Sequence, residues 1–324
     1  MENLAKTVLL NGGSIHPLII PSSFTNGTGL MNPSILYWNN KIIINLRHVN
    51  YTFYHSEAKL FQHQFGPLTY IHPENDLHLR TENYFCQLDN KFNISRFNRI
   101  DTSLFDTYEP MWDFVGLEDA RLVCWDNKLY ITGVRRDTTT NGQGRMELSE
   151  IVVGSDTVRE ISRFRIPAPR DPDSYCEKNW MPFLDLPYHF VKWTNPTEVV
   201  RVDPEKQTCE TVFVGEYKNA PNDFRGGSQI ISYKDKYLAI VHEVDLFNSE
   251  VGRKDAVYKH RFVLWDKNFN LIDFSDAFSI MGGHVEFAVG MIEYNGQMLL
   301  TFGFQDNAAY LLKFSPEIID LYVR

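Results

Sequence analysis

Tyr37-Trp38-Asn39-Asn40-Lys41 leads into the apolar run Ile42–Leu46 and ends on Arg47, and this short pattern returns along the chain. Cys124-Trp125-Asp126-Asn127-Lys128 leads into Leu129–Val134 and ends on Arg135 and Arg136. Ile231-Ser232-Tyr233-Lys234-Asp235-Lys236 leads into Tyr237–Val241 and ends on His242 and Glu243. Ile292-Glu293-Tyr294-Asn295-Gly296 leads into Gln297–Gly303 and ends near Asp306. A looser copy, Phe183-Leu184-Asp185-Leu186-Pro187, leads into Tyr188–Val191 and ends on Lys192. Asn, Asp and Gly tolerate positive φ and so make tight turns. Ile, Val, Leu, Tyr and Phe pack a pleated surface. Five hairpin units therefore deliver five polar groups at equivalent places. A β-sandwich with several hairpins shares the turns, but the repeated polar strand ends favour an all-β, five-bladed β-propeller with a central active-site pocket. The spacing, roughly 50 to 90 residues between turns, excludes a strict repeat of the WD40 kind.

Working outward, residues 1–324 read as a single domain, since no low-complexity linker or composition shift interrupts them. Residues 1–30, with Gly12-Gly13, Pro17, Pro21 and Asn26-Gly27, read as an irregular N-terminal segment. Residues 66–82 read as a surface loop, and Ser315–Asp320 as one C-terminal helical turn. A chain of this length buries about three quarters of its unfolded surface, so it needs no metal or disulfide for stability. Cys86, Cys124, Cys176 and Cys209 lie too far apart for a zinc knot or a disulfide framework, which fits a reducing compartment. Met1–Lys6 lacks a signal-peptide n-region, so the expected location is cytoplasmic. No run approaches the ~20 apolar residues of a membrane span. A net charge of −9 argues against nucleic acid as a partner. Sixteen Tyr and six Trp supply rings beyond the needs of a core, and such faces suit sugars. No metal-binding pattern occurs, and no cofactor is expected.

Compact polar clusters precede the repeated strands: Asn32-Pro33-Ser34, Gly116–Arg121, Glu177-Lys178-Asn179-Trp180, Arg225–Gln229 and Val285–Gly290, with Gln305-Asp306-Asn307 closing the last. Charges beside apolar strand sequence must be paired or must face a wet cavity, because unpaired burial costs several kcal/mol. Converging, these clusters would line one pocket with two or three carboxylates and several cations.

The set resembles the mannoside phosphorylase family, glycoside hydrolase family 130, and the related β-1,2-mannosyltransferases of glycosyltransferase family 108. The motifs that carry the likeness are Asn32-Pro33, Arg47, Glu118-Asp119-Ala120-Arg121, Lys178-Asn179-Trp180, Phe287-Ala288-Val289-Gly290 and Gly303-Phe304-Gln305-Asp306, in family order across residues 30–314. The family fold is a five-bladed propeller, in agreement with the five units counted above. The resemblance implies that Asp119 moves the proton between donor and acceptor, with Glu118 and Arg121 supporting it. It also implies that Arg136 and Lys178 bind phosphate. Arg225 and His242 complete a candidate anion site, in which Arg supplies a fork matched to phosphate oxygens. One of Arg135 and Arg136 is expected to pair with Asp137 instead. Asn32, Arg47, Asn179, Glu286 and Asp306 are the candidate sugar contacts, with Trp180 or Tyr258 as a stacking face. His260 reads as structural.

Ala120 stands where the family has Pro, and Arg225–Gln229 with His242-Glu243 depart from the phosphorylase pattern. These departures favour an inverting glycosyltransferase that moves a sugar, mannose by resemblance, from a sugar-phosphate or nucleotide-sugar donor to an oligosaccharide acceptor. The alternatives are a β-mannoside phosphorylase using inorganic phosphate and a non-catalytic carbohydrate-binding propeller.

Overall fold

The computed structural model describes residues 2–55, 68–217, 220–221, 223–248 and 254–323. Strands dominate, and most of them fall into five consecutive antiparallel groups. The first holds Leu30–Trp38, Lys41–Val49, Leu79–Leu88 and Ile94–Asp101. The second holds Glu118–Trp125, Lys128–Arg135, Arg145–Val153 and Val158–Arg165. The third runs through Met181–Pro182, His189–Trp193, Thr197–Asp203 and Thr208–Gly215. In the fourth, Arg225–Gly226 and Ile231–Tyr233 share the inner edge of Lys236–Asn248, followed by Lys254–Trp265 and Leu271–Phe274. The fifth holds Glu286–Tyr294, Gln297–Phe304 and Ala308–Phe314, and its outer strand is Ser14–Pro17 from the other end of the chain.

The turns are those read from the sequence. Asn39 and Asn40, Asp126 and Asn127, Lys234, and Asn295 with Gly296 all take positive φ, where a Cβ is costly and Asn, Asp or Gly is tolerated. Alternation along each inner strand then sends successive side chains to different neighbours. Leu122 packs with Ile43 and Phe85 of the first group, whereas Val123 packs with Trp180 and Phe190 of the third. Further clusters join third to fourth, fourth to fifth, and fifth back to first, so the succession closes on itself. The inner strands Glu118–Trp125 and Glu286–Tyr294 are largely buried on both faces because both are covered.

Among the described residues, two differences from the sequence reading stand out, and the expected C-terminal turn is present. Residues 1–30 are not irregular throughout: α1 (Leu4–Leu10) is capped by the Asn3 side chain on Lys6 N–H, and Ser14–Pro17 is a strand. Leu4, Ala5 and Val8 lie on one face at helical spacing and enter the core. Within 66–82, Leu68–Ile71 pairs with Thr52–His55 as a hairpin, while Gly66 and Pro67 lie outside the described residues. The C-terminal turn is α2 (Glu317–Tyr322), which buries Ile318, Ile319 and Tyr322. No helix among the described residues is long and apolar enough to cross a membrane.

Near the inner strands a single amide ties four groups together. Gln229 is fully buried, and its Nε2 donates to the Ile35 carbonyl (2.8 Å) and the Leu122 carbonyl (3.0 Å). Its Oε1 accepts from Met291 N–H at 3.2 Å. Ser34 Oγ accepts from Leu122 N–H, and Arg121 Nε donates to the Gly227 carbonyl. Replacing Gln229 with Leu leaves two carbonyls and one N–H buried without a partner, each costing about 1–3 kcal/mol. Gln229→Leu should therefore lose about 3–5 kcal/mol in urea denaturation; an unchanged midpoint would remove this amide from the framework.

Candidate active site

Four of the expected site residues share one backbone feature. Asn32, Asp119, Asn179 and Asp306 all have φ between 47° and 59°, in the left-handed region. At Asn32 and Asp119 the strand register also shifts, between Met31 and Ser34 and between Glu118 and Arg121. A bulge of this kind takes a side chain out of the ladder and re-aims it. Asn and Asp carry such a conformation at low cost among non-glycine residues. The close packing around Asn32 depends on Gly303, where a Cβ would collide with the Asn32 amide oxygen.

The re-aimed groups meet at Arg47. Its Nη1 donates to Asp119 Oδ1 at 2.9 Å, and its Nη2 reaches Glu118 Oε2 at 3.5 Å. Thr81 Oγ1 and Tyr51 Oη accept its remaining bonds, at 3.0 and 3.3 Å from Nη2. Asn32 Nδ2 donates to the same Asp119 oxygen at 2.8 Å. Arg121 Nη1 donates to the Asp119 carbonyl at 2.8 Å, fixing its backbone while lying fully buried. Asp119 thus has an oriented carboxylate on a fixed backbone.

The three carboxyls are tuned apart. Burial pushes Asp119 up, but the Arg47 charge and the Asn32 amide, with Arg121 and Lys178, outweigh it and hold the group below its ordinary value. Glu118 goes the other way: burial raises it, Asp119 adds to the rise, and Arg47 opposes it. Asp306 is pushed up to about 6, first by burial and then by Asp119 and Glu118, against the pull of Arg47. A carboxylate that stays charged beside two that hold protons more readily is an acid–base arrangement.

Two cations flank this cluster, and among the described residues neither has a carboxylate partner. Arg136 donates Nε to the Gly142 carbonyl at 3.0 Å and Nη2 to Tyr175 Oη at 2.9 Å. Its guanidinium lies 5.7 and 5.4 Å from the Phe114 and Tyr175 ring centres. Lys178 is exposed, and its charge, like that of Arg136, bears on Glu118. Arg135 is the member of the pair that turns inward: it bonds Glu147 at 2.8 Å and reaches Asp137 at 3.4 Å and Asp106 at 3.3 Å. Arg225 is partly exposed and pairs with Asp223 at 3.0 Å.

Three expected roles are corrected. Trp180 is 1% exposed, packed on Phe190 with its indole N–H on Glu177, so it offers no stacking face. Glu286 is fully buried and accepts the N–H groups of Ile280, Met281 and Gly283 at 2.6–3.0 Å; it holds a loop, not a sugar. His242 is no anion-binding cation. Burial, then the neighbouring His260, Arg225, Lys178 and Arg121, hold it well below the ordinary imidazole range. It stacks instead on Tyr258, ring centres 5.6 Å apart, and Tyr258 feels the Asp306 and Asp119 charges. His260 is buried and accepts weakly from Ala288 N–H, in line with a structural role.

The sequence reading missed Tyr51, Tyr70 and Thr81. Tyr70 packs edge-on against Tyr51 at 5.2 Å, and both feel Asp306. The alternation of Thr52-Phe53-Tyr54-His55 was the available signal for the hairpin that carries Tyr70. No cluster of His, Cys, Asp or Glu able to hold a metal occurs among the described residues.

No protein-family model matches the sequence, and no curated protein matches it. Solved structures do share its fold. A β-1,2-mannobiose phosphorylase from Listeria innocua superposes with a TM-score of 0.54 at 12% identity, covering 91% of each chain. A mannose phosphorylase from Leishmania mexicana gives 0.53 at 12% identity, over 98% of this chain and 93% of that one. A glycosyl hydrolase from Bacteroides ovatus gives 0.56 at 12% identity, over 90% and 85%. The chain is thus structurally similar to mannoside phosphorylases, and at these identities the likeness shows the fold.

The Asp306 shift gives a pH test. A carboxyl whose folded value lies above its ordinary 3.8 contributes stability at low pH, which is lost as pH rises through about 6. Asp306→Asn should then be more stable than the parent at pH 8, by up to about 3 kcal/mol at 1.36 kcal/mol per unit. The gain should fade towards pH 4, as read by urea denaturation. Equal stability at both values would place Asp306 in open solvent.

Proposed function

We propose that this chain is a five-bladed β-propeller glycoside phosphorylase that cleaves β-linked mannosides with inorganic phosphate. The observation that carries the reading is the pair of cations that have no carboxylate partner among the described residues, Arg136 and Lys178, beside a single oriented carboxylate held below its ordinary value. The five closed strand groups and the phosphorylases among the structural neighbours support it. The sequence departures at Arg225–Gln229 favoured a transferase, but Gln229 and Gly227 act in the framework, so those changes say little about the donor.

In this mechanism the sugar sits over Asn32, Arg47 and Asp306. A phosphate oxygen attacks the anomeric carbon from the face opposite the glycosidic oxygen. The carbon–oxygen bond breaks with its electron pair on the leaving oxygen, which takes a proton from Asp119, directly or through a sugar hydroxyl. Inversion yields the α-configured sugar 1-phosphate. Phosphate brings negative charge towards Asp119 and raises its proton affinity, so the carboxylate takes up a proton, from water or from dihydrogen phosphate, before it serves as the acid. In the synthetic direction Asp119, already ionised, removes the acceptor's hydroxyl proton. One carboxylate suffices because phosphate replaces the activated water that an inverting hydrolase needs.

Phosphorus NMR with mannose 1-phosphate and a β-mannoside acceptor should show inorganic phosphate growing as the acceptor is extended. GDP release from GDP-mannose would instead establish the transferase, and phosphate-independent cleavage a hydrolase. Asp119→Asn should lower kcat by about 10²–10⁴ while sugar binding persists. Lys178→Ala should raise KM for phosphate at least about tenfold with a smaller change in kcat, the loss of one charge-assisted contact. Equal loss in both parameters for every substrate would take Lys178 out of the phosphate site.

A further inference from the structure

A groove of about 500 Å³ leaves the site between the third and fourth groups. Lys178, Asn179 and Arg225 of the candidate site share its lining with Lys192, Trp193 and Glu198. The strand register explains the placement. Met181 lies opposite Val191 on antiparallel strands, so two residues back on one strand and two forward on the other bring Trp193 level with Asn179. The Lys192 ammonium, level with Trp180 in this register, lies 5.9 Å from the Trp180 ring centre. The register shifts between Val191 and Trp193, and this irregularity ends the inward alternation and turns the indole outwards. Trp193 is 37% exposed, and its Nε1 donates to the Asn195 carbonyl at 2.8 Å, which fixes the ring.

We infer that this groove is a subsite for a sugar unit of an oligosaccharide substrate, beyond the bond that is transferred, with Trp193 as its stacking platform. The inference rests on the glycoside reading above. The polar lining says why a neutral, hydroxyl-rich ligand fits better than an anion. Lys192 is shared between Glu177 and Glu198, Arg225 is paired with Asp223, and Thr211 donates to Glu198 at 2.8 Å. Two cations, Lys192 and Arg225, thus face three carboxylates, Glu177, Glu198 and Asp223, so no net positive field draws phosphate outward from Lys178. Fixed donors and acceptors around an aromatic face instead match the two chemistries of a pyranose, its hydroxyl rim and its C–H face. The two walls meet closely: a Cβ on Gly226 would collide with the Asn179 carbonyl, so the fourth group's inner strand lies directly against the segment leading into the third's.

The experiment compares β-1,2-mannobiose with the corresponding tetrasaccharide, in binding by calorimetry without phosphate and in phosphorolysis. Trp193→Ala should weaken the tetrasaccharide about tenfold, the worth of one aromatic platform, and leave the disaccharide and kcat unchanged. Trp193→Phe keeps a ring and should recover most of the loss, which also separates stacking from a folding defect read by circular dichroism. Phosphorolysis that ignores both chain length and Trp193 overturns the subsite and leaves the phosphorylase reading standing. Trp193-dependent tetrasaccharide binding without phosphorolysis supports the subsite and overturns the phosphorylase. Binding of neither sugar overturns both.

Discussion

The side-chain amide of Gln229 is the constraint on which the rest depends. It belongs to the fourth group and bonds backbone atoms of the first, second and fifth. Backbone groups at the inner edge of a sheet cannot be left dry and unpaired. With one acceptor and two donors, Gln229 satisfies three of them at once. Its short reach also sets how near the inner strands stand, and hence where their ends lie. The site residues are attached to those ends, so the geometry around Asp119 inherits its precision from an amide that touches no substrate.

The electrostatics follow from the same closeness. Arg47 is nearly buried, yet all three of its nitrogens donate, to a carboxylate, a second carboxylate edge, a threonine and a tyrosine. A buried guanidinium is tolerable only with that degree of satisfaction. Because Arg47 commits its strongest bond to Asp119, Glu118 and Asp306 receive less compensation and hold their protons more tightly. One cation thus separates three chemically similar groups into different protonation ranges. Glu118 Oε1, Asn32 Oδ1 and Asn179 Oδ1 are buried without a bonding partner among the described residues. Polar atoms left in that condition mark where a ligand or water completes the arrangement.

Much of this was legible in the sequence, and the parts that were not have a common cause. The turns at Asn39-Asn40, Asp126-Asn127 and Asn295-Gly296 are local chemistry, so composition alone located them. Asp119 and Arg47 were singled out by charges flanking apolar strands together with the family resemblance, and the fold brings the two into one ion pair. Glu286, Trp180 and His242 were misassigned because their roles depend on partners far away or on depth: three loop N–H groups, a packed neighbouring strand, a ring on the adjacent strand. Helix α1 was missed since seven residues carry too little periodicity to stand out. Arg135 and Arg136 show the limit plainly: adjacent and identical in type, they point to opposite faces, and only the fold tells which one meets Asp137.

The strand Ser14–Pro17 completes the last group by pairing with a segment made some 300 residues later. During synthesis on the ribosome this early strand has no partner, and it must wait for almost the whole chain to emerge. The four groups made before the last can gain contacts in order, but the ring stays open until the two ends meet. Until then the outer edge of Ala308–Phe314 is an unprotected template for any other extended chain. The ring is therefore complete only once Ala308–Phe314 has been made, and loss of either strand removes half of the same clasp.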